Sequence, residues 1–114
     1  MIDHVAIKVY NLALSKQFYA QLLKPLGHSI TVDNEIYCMF GKGEFVLSGG
    51  GPAKCHVAFR ANSREAVNAF HKAGLEAGGK DNGAPGIRSE YGDTYYAAFL
   101  YDLDGNNIEA AFYE

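Results

Sequence analysis

The sequence predicts an α+β fold: two βαβββ modules in tandem, whose curved mixed sheets form a cup with helices on the outer faces. Three observations predict it. The hexapeptide DHVAIK at 3–8 returns as CHVAFR at 55–60, and the likeness continues without a gap at an offset of 52. Each copy alternates apolar and polar side chains, then meets a helix-capping residue and an apolar stripe of helical spacing. Strand-like segments punctuated by turn residues complete each half. The 114 residues read as one domain, with module one over about 1–48, a linker at 49–53 and module two over about 54–114.

The elements follow in order. Over 2–9, Val5, Ile7 and Val9 form one face while His4, Ala6 and Lys8 point the other way. Over 55–61, Val57, Phe59 and Ala61 oppose His56, Ala58 and Arg60. Asn11 and Ser63 are placed to cap the helices that follow, since their side-chain oxygens accept from free backbone N–H groups. Ser15, Phe18, Tyr19, Leu22, Leu23 and Leu26 mark the buried stripe of the first helix. Ala66, Val67, Phe70, Ala73 and Ala77 mark that of the second. Gly27 and Gly78-Gly79 supply the left-handed stops. Strands are expected near 28–33, 35–41 and 44–48, weakly near 79–82, and over 94–102 and 106–114, the last two joined by a hairpin at Asp104-Gly105. The glycine-rich stretch 78–93 reads as a mobile loop, either passive or a lid over a substrate.

Composition narrows the function. A formal charge of −3 with no basic run leaves no electrostatic footprint for nucleic acid. No segment approaches the roughly 20 apolar residues of a membrane span, so no membrane partner is expected. The amino terminus lacks a basic segment followed by a long apolar one, and the cytoplasm is the expected compartment. Cys38 and Cys55 have no metal-site or disulfide spacing and read as small apolar strand residues.

The duplicated histidine carries the chemistry. If the helices cover the apolar faces, His4 and His56 project from the opposite faces into the cup. In NNIEAAFYE, Ile108, Ala110 and Phe112 take one face of the closing strand and Glu109 the other. A carboxylate between Ile and Ala costs several kcal/mol to bury unless it is paired or bound to metal. Two imidazoles and one carboxylate form a facial triad that suits Fe(II) and equally Zn, Mn, Ni or Co, and three protein ligands leave positions open for a small-molecule substrate. The alternative is a pair of hydrogen-bonded structural histidines. His28 and His71 share no such geometry and read as structural or surface residues. Arg88, Tyr91 and the adjoining Tyr95-Tyr96 are placed to hold an anionic or aromatic ligand. Lys8 and Arg60 recur at matching positions, where Arg60 is a further substrate contact or a solvated strand-end charge.

At DHVAIKV, CHVAFRANSREAVNAFHKAG, GGKDNGAPGIR and above all YDLDGNNIEAAFY, the sequence resembles the vicinal oxygen chelate superfamily. That group holds glyoxalase I, extradiol dioxygenases and bleomycin-resistance proteins. The resemblance spans essentially the whole chain and implies paired βαβββ modules with metal ligands on first and last strands. By position it implies His4, His56 and Glu109 as ligands, with Glu109 also catalytic. The fourth position falls near Val46 or Leu47, both apolar, which departs from the four-ligand glyoxalase I pattern and is closer to the three-ligand dioxygenase one. The expected function is a divalent-metal-dependent enzyme of lyase, isomerase or dioxygenase type acting on a small oxygen-bearing substrate. The alternative is a metal-free protein of resistance type that sequesters a small molecule. Sheet edges open to pairing, with the habit of small members of the group, imply a homodimer.

Overall fold

The computed structural model describes residues 3–51 and 53–113. Ile2 of the first expected strand, Pro52 of the linker and Glu114 of the last strand lie outside them. Module one runs β1 (Val5–Val9), α1 (Leu12–Leu23), a 3-10 turn (Lys24–Leu26), β2 (Ile30–Asp33), β3 (Tyr37–Phe40) and β4 (Phe45–Gly49). Module two repeats it as β5 (His56–Arg60), α2 (Arg64–Glu76), β6 (Lys80–Ile87), β7 (Tyr96–Tyr101) and β8 (Asn107–Phe112). Each module folds into a four-stranded mixed sheet, ordered β1-β4-β3-β2 and β5-β8-β7-β6. The first strand of each lies parallel to the last, and the other pairs are antiparallel.

Local chemistry sets the helix limits. The side chains of Asn11 and Ser63 accept from the N–H groups of Leu14 and Ala66, each at 3.0 Å. Gly27 and Gly78 take φ of 87° and 104°, a conformation other residues enter at a cost, and end the helical segments. Gly74 serves a different need. A Cβ there would stand 2.1 Å from the Leu100 Cδ1 atom of β7, so only a bare α-carbon lets α2 sit this close to its sheet.

The helices share one core. Phe18, Tyr19, Leu22 and Leu23 of α1 and Val67 and Phe70 of α2 join Ile7, Leu47, Leu100 and Ile108 in a single buried cluster. Phe45 of β4 meets Phe59 of β5 edge-on, with centroids 4.9 Å apart, so the helix-side faces of the two sheets are continuous. The opposite faces of the edge strands stay open, with His4, Ala6 and Lys8 exposed on β1 and His56, Ala58 and Arg60 exposed on β5. Among the described residues no helix is long and apolar enough to cross a membrane.

Half of the stretch expected as a mobile loop is strand, and the weak strand expected near 79–82 runs on to Ile87. β6 spans Lys80–Ile87 and pairs with β7, with register shifts between Asp81 and Gly83 and between Gly83 and Gly86. It is an edge strand, and an edge tolerates Pro85, whose missing N–H removes no ladder bond where that side faces solvent. The glycines that suggested a loop mark bulges instead. His71 of α2 lies 2.8 Å from Asp81, which also accepts from the Gly83 N–H, and so holds the first bulge.

A buried polar knot ties the modules. Asp102, only 6% exposed, accepts from the Tyr19 hydroxyl at 2.5 Å, the Asn106 side-chain amide at 2.9 Å, and the backbone N–H groups of Asp104 and Asn106. Burial, then the charge and hydrogen bond of Asp102, push the Tyr19 phenol well above its ordinary pKa, so it stays a donor. Asp102→Ala leaves these buried donors unmatched and is expected to cost about 3–4 kcal/mol in urea unfolding. Tyr19→Phe should cost about 1–2 kcal/mol, and the double variant less than the sum. A loss under about 1 kcal/mol for Asp102→Ala would remove the knot from the account of stability.

Candidate functional site

Register brings the candidate ligands of module two together. β5 and β8 pair parallel with Ala58 opposite Glu109, which sets Glu109 two residues along the ladder from His56 and so on the same face. The His56 Nε2 atom lies 3.1 Å from Glu109 Oε1. The His56 Nδ1 atom lies 3.0 Å from the backbone carbonyl of Asn107. A carbonyl only accepts, so Nδ1 carries the proton and, in the neutral ring, Nε2 presents its lone pair to the carboxylate. Two acceptors do not rest at hydrogen-bond distance without a proton or a cation between them.

The carboxylate is held from its other side. Tyr95 donates its hydroxyl to Glu109 Oε2 at 2.6 Å. Burial first, and then this bond and the carboxylate's charge, raise the Tyr95 pKa well above the ordinary phenol value, which keeps it a donor. Phe99, opposite Glu109 on β7, stacks near the His56 ring with centroids 6.4 Å apart. Glu109 is therefore 4% exposed although it faces the open side of the sheet. A cavity of about 430 Å³ is lined by His56, Ala58, Tyr91, Tyr95, Phe99 and Glu109, together with Asn107.

His4 stands apart from this pair in the single chain. It lines a different cavity, of about 530 Å³, with Ala6, Ile36, Tyr37, Met39 and Val46 among its walls. Its Nδ1 lies 2.8 Å from an Asp3 carboxylate oxygen, which in the neutral ring places the proton on Nδ1 and the lone pair on Nε2. Ala6 pairs with Val46 as Ala58 pairs with Glu109, so Val46 occupies the place of the carboxylate and Leu47 lies on the helix side. Among the described residues, no three His, Cys, Asp or Glu side chains converge on one point in a single chain. One chain thus unites His56 with Glu109 and does not add His4.

The expected substrate residues divide by face. Tyr91 lines the His56 cavity and meets Tyr95 edge-on at 5.4 Å. The guanidinium of Arg88 lies 5.5 Å from the Phe99 centroid and donates to the Ala84 carbonyl. Arg60 lies over the Tyr113 ring at the far end of β5. Tyr96 is on the opposite face: its hydroxyl donates to Asn68 of α2 at 2.6 Å, beneath Arg64. Tyr95 fills the role next to the site instead. The signal for this was present, because a hairpin at 102–106 that places Glu109 opposite Phe99 puts the odd-numbered residues of β7 on the site face. The carbonyl of Asn107, which orients His56, leaves no trace in side-chain pattern.

Comparison with known proteins bears on the same arrangement. No family model matches the chain, and neither does any curated protein. The crystal structure of a glyoxalase/bleomycin resistance protein from Albidiferax ferrireducens T118 is 34% identical, covers 98% of both chains and superposes with a TM-score of 0.83. This chain belongs to the glyoxalase/bleomycin resistance protein family. The family lies within the vicinal oxygen chelate superfamily. Two more distant structures share the fold. One is a glyoxalase/bleomycin resistance protein/dioxygenase family enzyme from Burkholderia phytofirmans PsJN, at 18% identity over 99% of this chain and 98% of that one, with a TM-score of 0.77. The other is lactoylglutathione lyase from Agrobacterium tumefaciens, at 15% identity over 98% and 92%, with a TM-score of 0.73. Family membership accounts for the fold and the repeat, while the reaction is a property of the site itself.

Tyr95 offers a direct test of the carboxylate's setting. The native state holds its proton more tightly than the unfolded chain does, so the stability involved is intact below about pH 10 and is lost as pH rises through the higher native value. In an ultraviolet titration of the eight tyrosines, Tyr19 and Tyr95 should ionise last, and Tyr95→Phe should delete one late transition. Loss of only an early transition in that variant would contradict the geometry.

Proposed function

We propose that this family member is a divalent-metal-dependent enzyme acting on a small oxygen-bearing substrate, by lyase, isomerase or dioxygenase chemistry. The observation that carries the reading is the approach of His56 Nε2 to Glu109 Oε1 at 3.1 Å while Nδ1 is committed to the Asn107 carbonyl. The donor set fits a metal: an imidazole nitrogen and a buried carboxylate oxygen face one another, and a divalent cation in place of a shared proton meets both lone pairs. His56 and Glu109 would hold the ion, with His4 supplied by a second copy of the chain in a homodimer. Support for the exchange comes from the exposed faces of β1 and β5, which present His4 and His56 away from the shared core. The free cysteines Cys38 and Cys55 accord with a cytoplasmic location.

A bound divalent ion supplies Lewis acidity that stabilises negative charge on a substrate oxygen. The chain's own residues do the rest. The Asn107 carbonyl fixes the tautomer and tilt of His56. Tyr95 occupies Glu109 Oε2 and leaves Oε1 as the oxygen free to bind a cation or take a proton. Phe99 and Tyr91 line the cavity beside Glu109, whose own burial strengthens its interaction with a nearby cation. A metal-free sequestering protein is the second reading, favoured by Val46 in the place of a fourth ligand and by the apolar walls of the His4 cavity.

Metal analysis of the protein without an affinity tag should find one ion per chain, lost in Glu109→Ala. In the dimer reading, His4→Ala and Glu109→Ala homodimers are each defective, yet mixing them restores one complete site per heterodimer. Recovered metal in the mixture alone would establish the exchange. No metal after incubation with Fe, Zn, Ni, Mn and Co, together with stoichiometric ligand binding indifferent to chelator, would move the assignment to the sequestering protein.

A further inference from the structure

The site does not end at Glu109. A second hollow of about 210 Å³, lined by Ala58, Phe59, Arg60, Tyr95, Ala111 and Tyr113, shares Ala58 and Tyr95 with the His56 cavity. The two are one trough along the open face of β5, whose alternate residues His56, Ala58 and Arg60 line it in turn. Strand geometry sets His56 and Arg60 roughly 13 Å apart, and Glu109, opposite Ala58, roughly 7 Å from Arg60 along the strand.

Each part has a distinct chemistry. The floor is low, because Ala58 and Ala111 carry only methyl groups where other strand residues would fill the space. The wall is aromatic: Tyr95 and Tyr113 stack with centroids 5.4 Å apart and planes 11° from parallel, and Tyr91 meets Tyr95 edge-on. The far end is cationic. Arg60 lies 4.1 Å over the Tyr113 ring and donates from one Nη to its hydroxyl at 3.0 Å. Among the described residues Arg60 forms no ion pair, whereas Lys16 pairs with Asp33 and His71 with Asp81. Its position is fixed by stacking and one hydrogen bond, and among the described residues its remaining N–H donors meet no carboxylate.

We propose that this trough takes a flat aryl compound bearing a carboxylate, with its oxygen-bearing end at His56 and Glu109 and its carboxylate on Arg60. The placement of the oxygen end rests on the metal-site reading above, while the recognition of ring and carboxylate rests on the trough alone. A guanidinium held over a tyrosine ring matches a carboxylate through paired N–H donors, which an ammonium at the same place would not. Among the described residues Lys8, the counterpart of Arg60 in module one, lies over no aromatic ring, so the recognition belongs to module two.

The test uses 3-(4-hydroxyphenyl)propanoate and its uncharged amide as probes, titrated calorimetrically into the full chain and its Arg60→Gln variant. The acid should bind the natural chain about ten-fold more tightly than the amide, as one charge-assisted contact allows. Arg60→Gln should bring the two within about two-fold by weakening the acid alone. Raising the salt should narrow the natural chain's preference. Equal affinities in the natural chain, a preference untouched by Arg60→Gln, or no binding of either probe would overturn the proposal. Metal content measured on the same samples separates the two readings. An acid preference in metal-free protein retains the trough and rejects the metal site, whereas metal-loaded protein without the preference does the reverse.

Discussion

The structure depends on one buried carboxylate. Asp102 sits where β7 ends, nearly closed to solvent, and takes four hydrogen bonds from the turn that follows and from Tyr19 of the other module. A charge in that position costs several kcal/mol unless its lone pairs are met, and here each oxygen meets two donors. Asn106, drawn into the same knot and fully buried, accepts from the Cys55 N–H and so sets where β5 begins. Asp104 reaches the other way, to the Tyr10 N–H and the Ser15 hydroxyl at the start of α1. One turn of five residues therefore fixes the β7–β8 hairpin, the parallel partner of β8, and the docking of the first helix. Glu109 lies three residues beyond Asn106 on the strand that this turn aims.

The repeat explains why such a knot is needed and also where the two halves part company. Each module alone has a helix with one apolar face and a sheet that covers only part of it, so the two halves are stable together as one core. The same duplication presents two equivalent places on the open faces, Ala6 beside Val46 and Ala58 beside Glu109. Only the second carries a carboxylate, and only there do Tyr95 and the Asn107 carbonyl orient the groups around it. Module one contributes a histidine and apolar walls at the equivalent place. The polar chemistry is concentrated in one copy of a shared scaffold.

Much of this was legible in the residues. The strand–helix–three-strand order, both helix caps, the left-handed glycine stops and the open faces with their histidines follow from alternation and capping chemistry, which act over a few residues. What escaped was set over longer distances. The bulged edge strand at 80–87 reads as a weak strand near 79–82 running into a loop, because its glycines and proline lack β propensity, and its pairing with β7 makes the whole of it a strand. Tyr95 and Tyr96 are adjacent in sequence, and one residue of register decides which faces Glu109 and which faces Asn68. The family resemblance reaches His4 by position, but no local pattern states whether the two open faces of one chain look at each other. The shared helix-side core settles that in one chain His4 and His56 line separate cavities.

That separation has a thermodynamic consequence. On the proposed reading the ligand set is split between copies, so an ion that needs His4, His56 and Glu109 together binds the assembled protein and not the lone chain. Binding to one state only shifts the equilibrium toward it by mass action, so metal affinity and association become a single linked quantity. Diluting the chain then weakens metal binding, and supplying metal tightens the pairing by an equal free energy. A trough walled by Tyr95 and Tyr113 lies on the same open face as the split ligand set, and covering that face removes water from the stacked rings and from the guanidinium together. Charge recognition by Arg60 is weak while solvent screens it and strengthens as the surroundings become less polar. Assembly would thus complete the donor set and sharpen substrate recognition in one step, which gives a physical reason for a chain to keep half of its site on each of two outward faces.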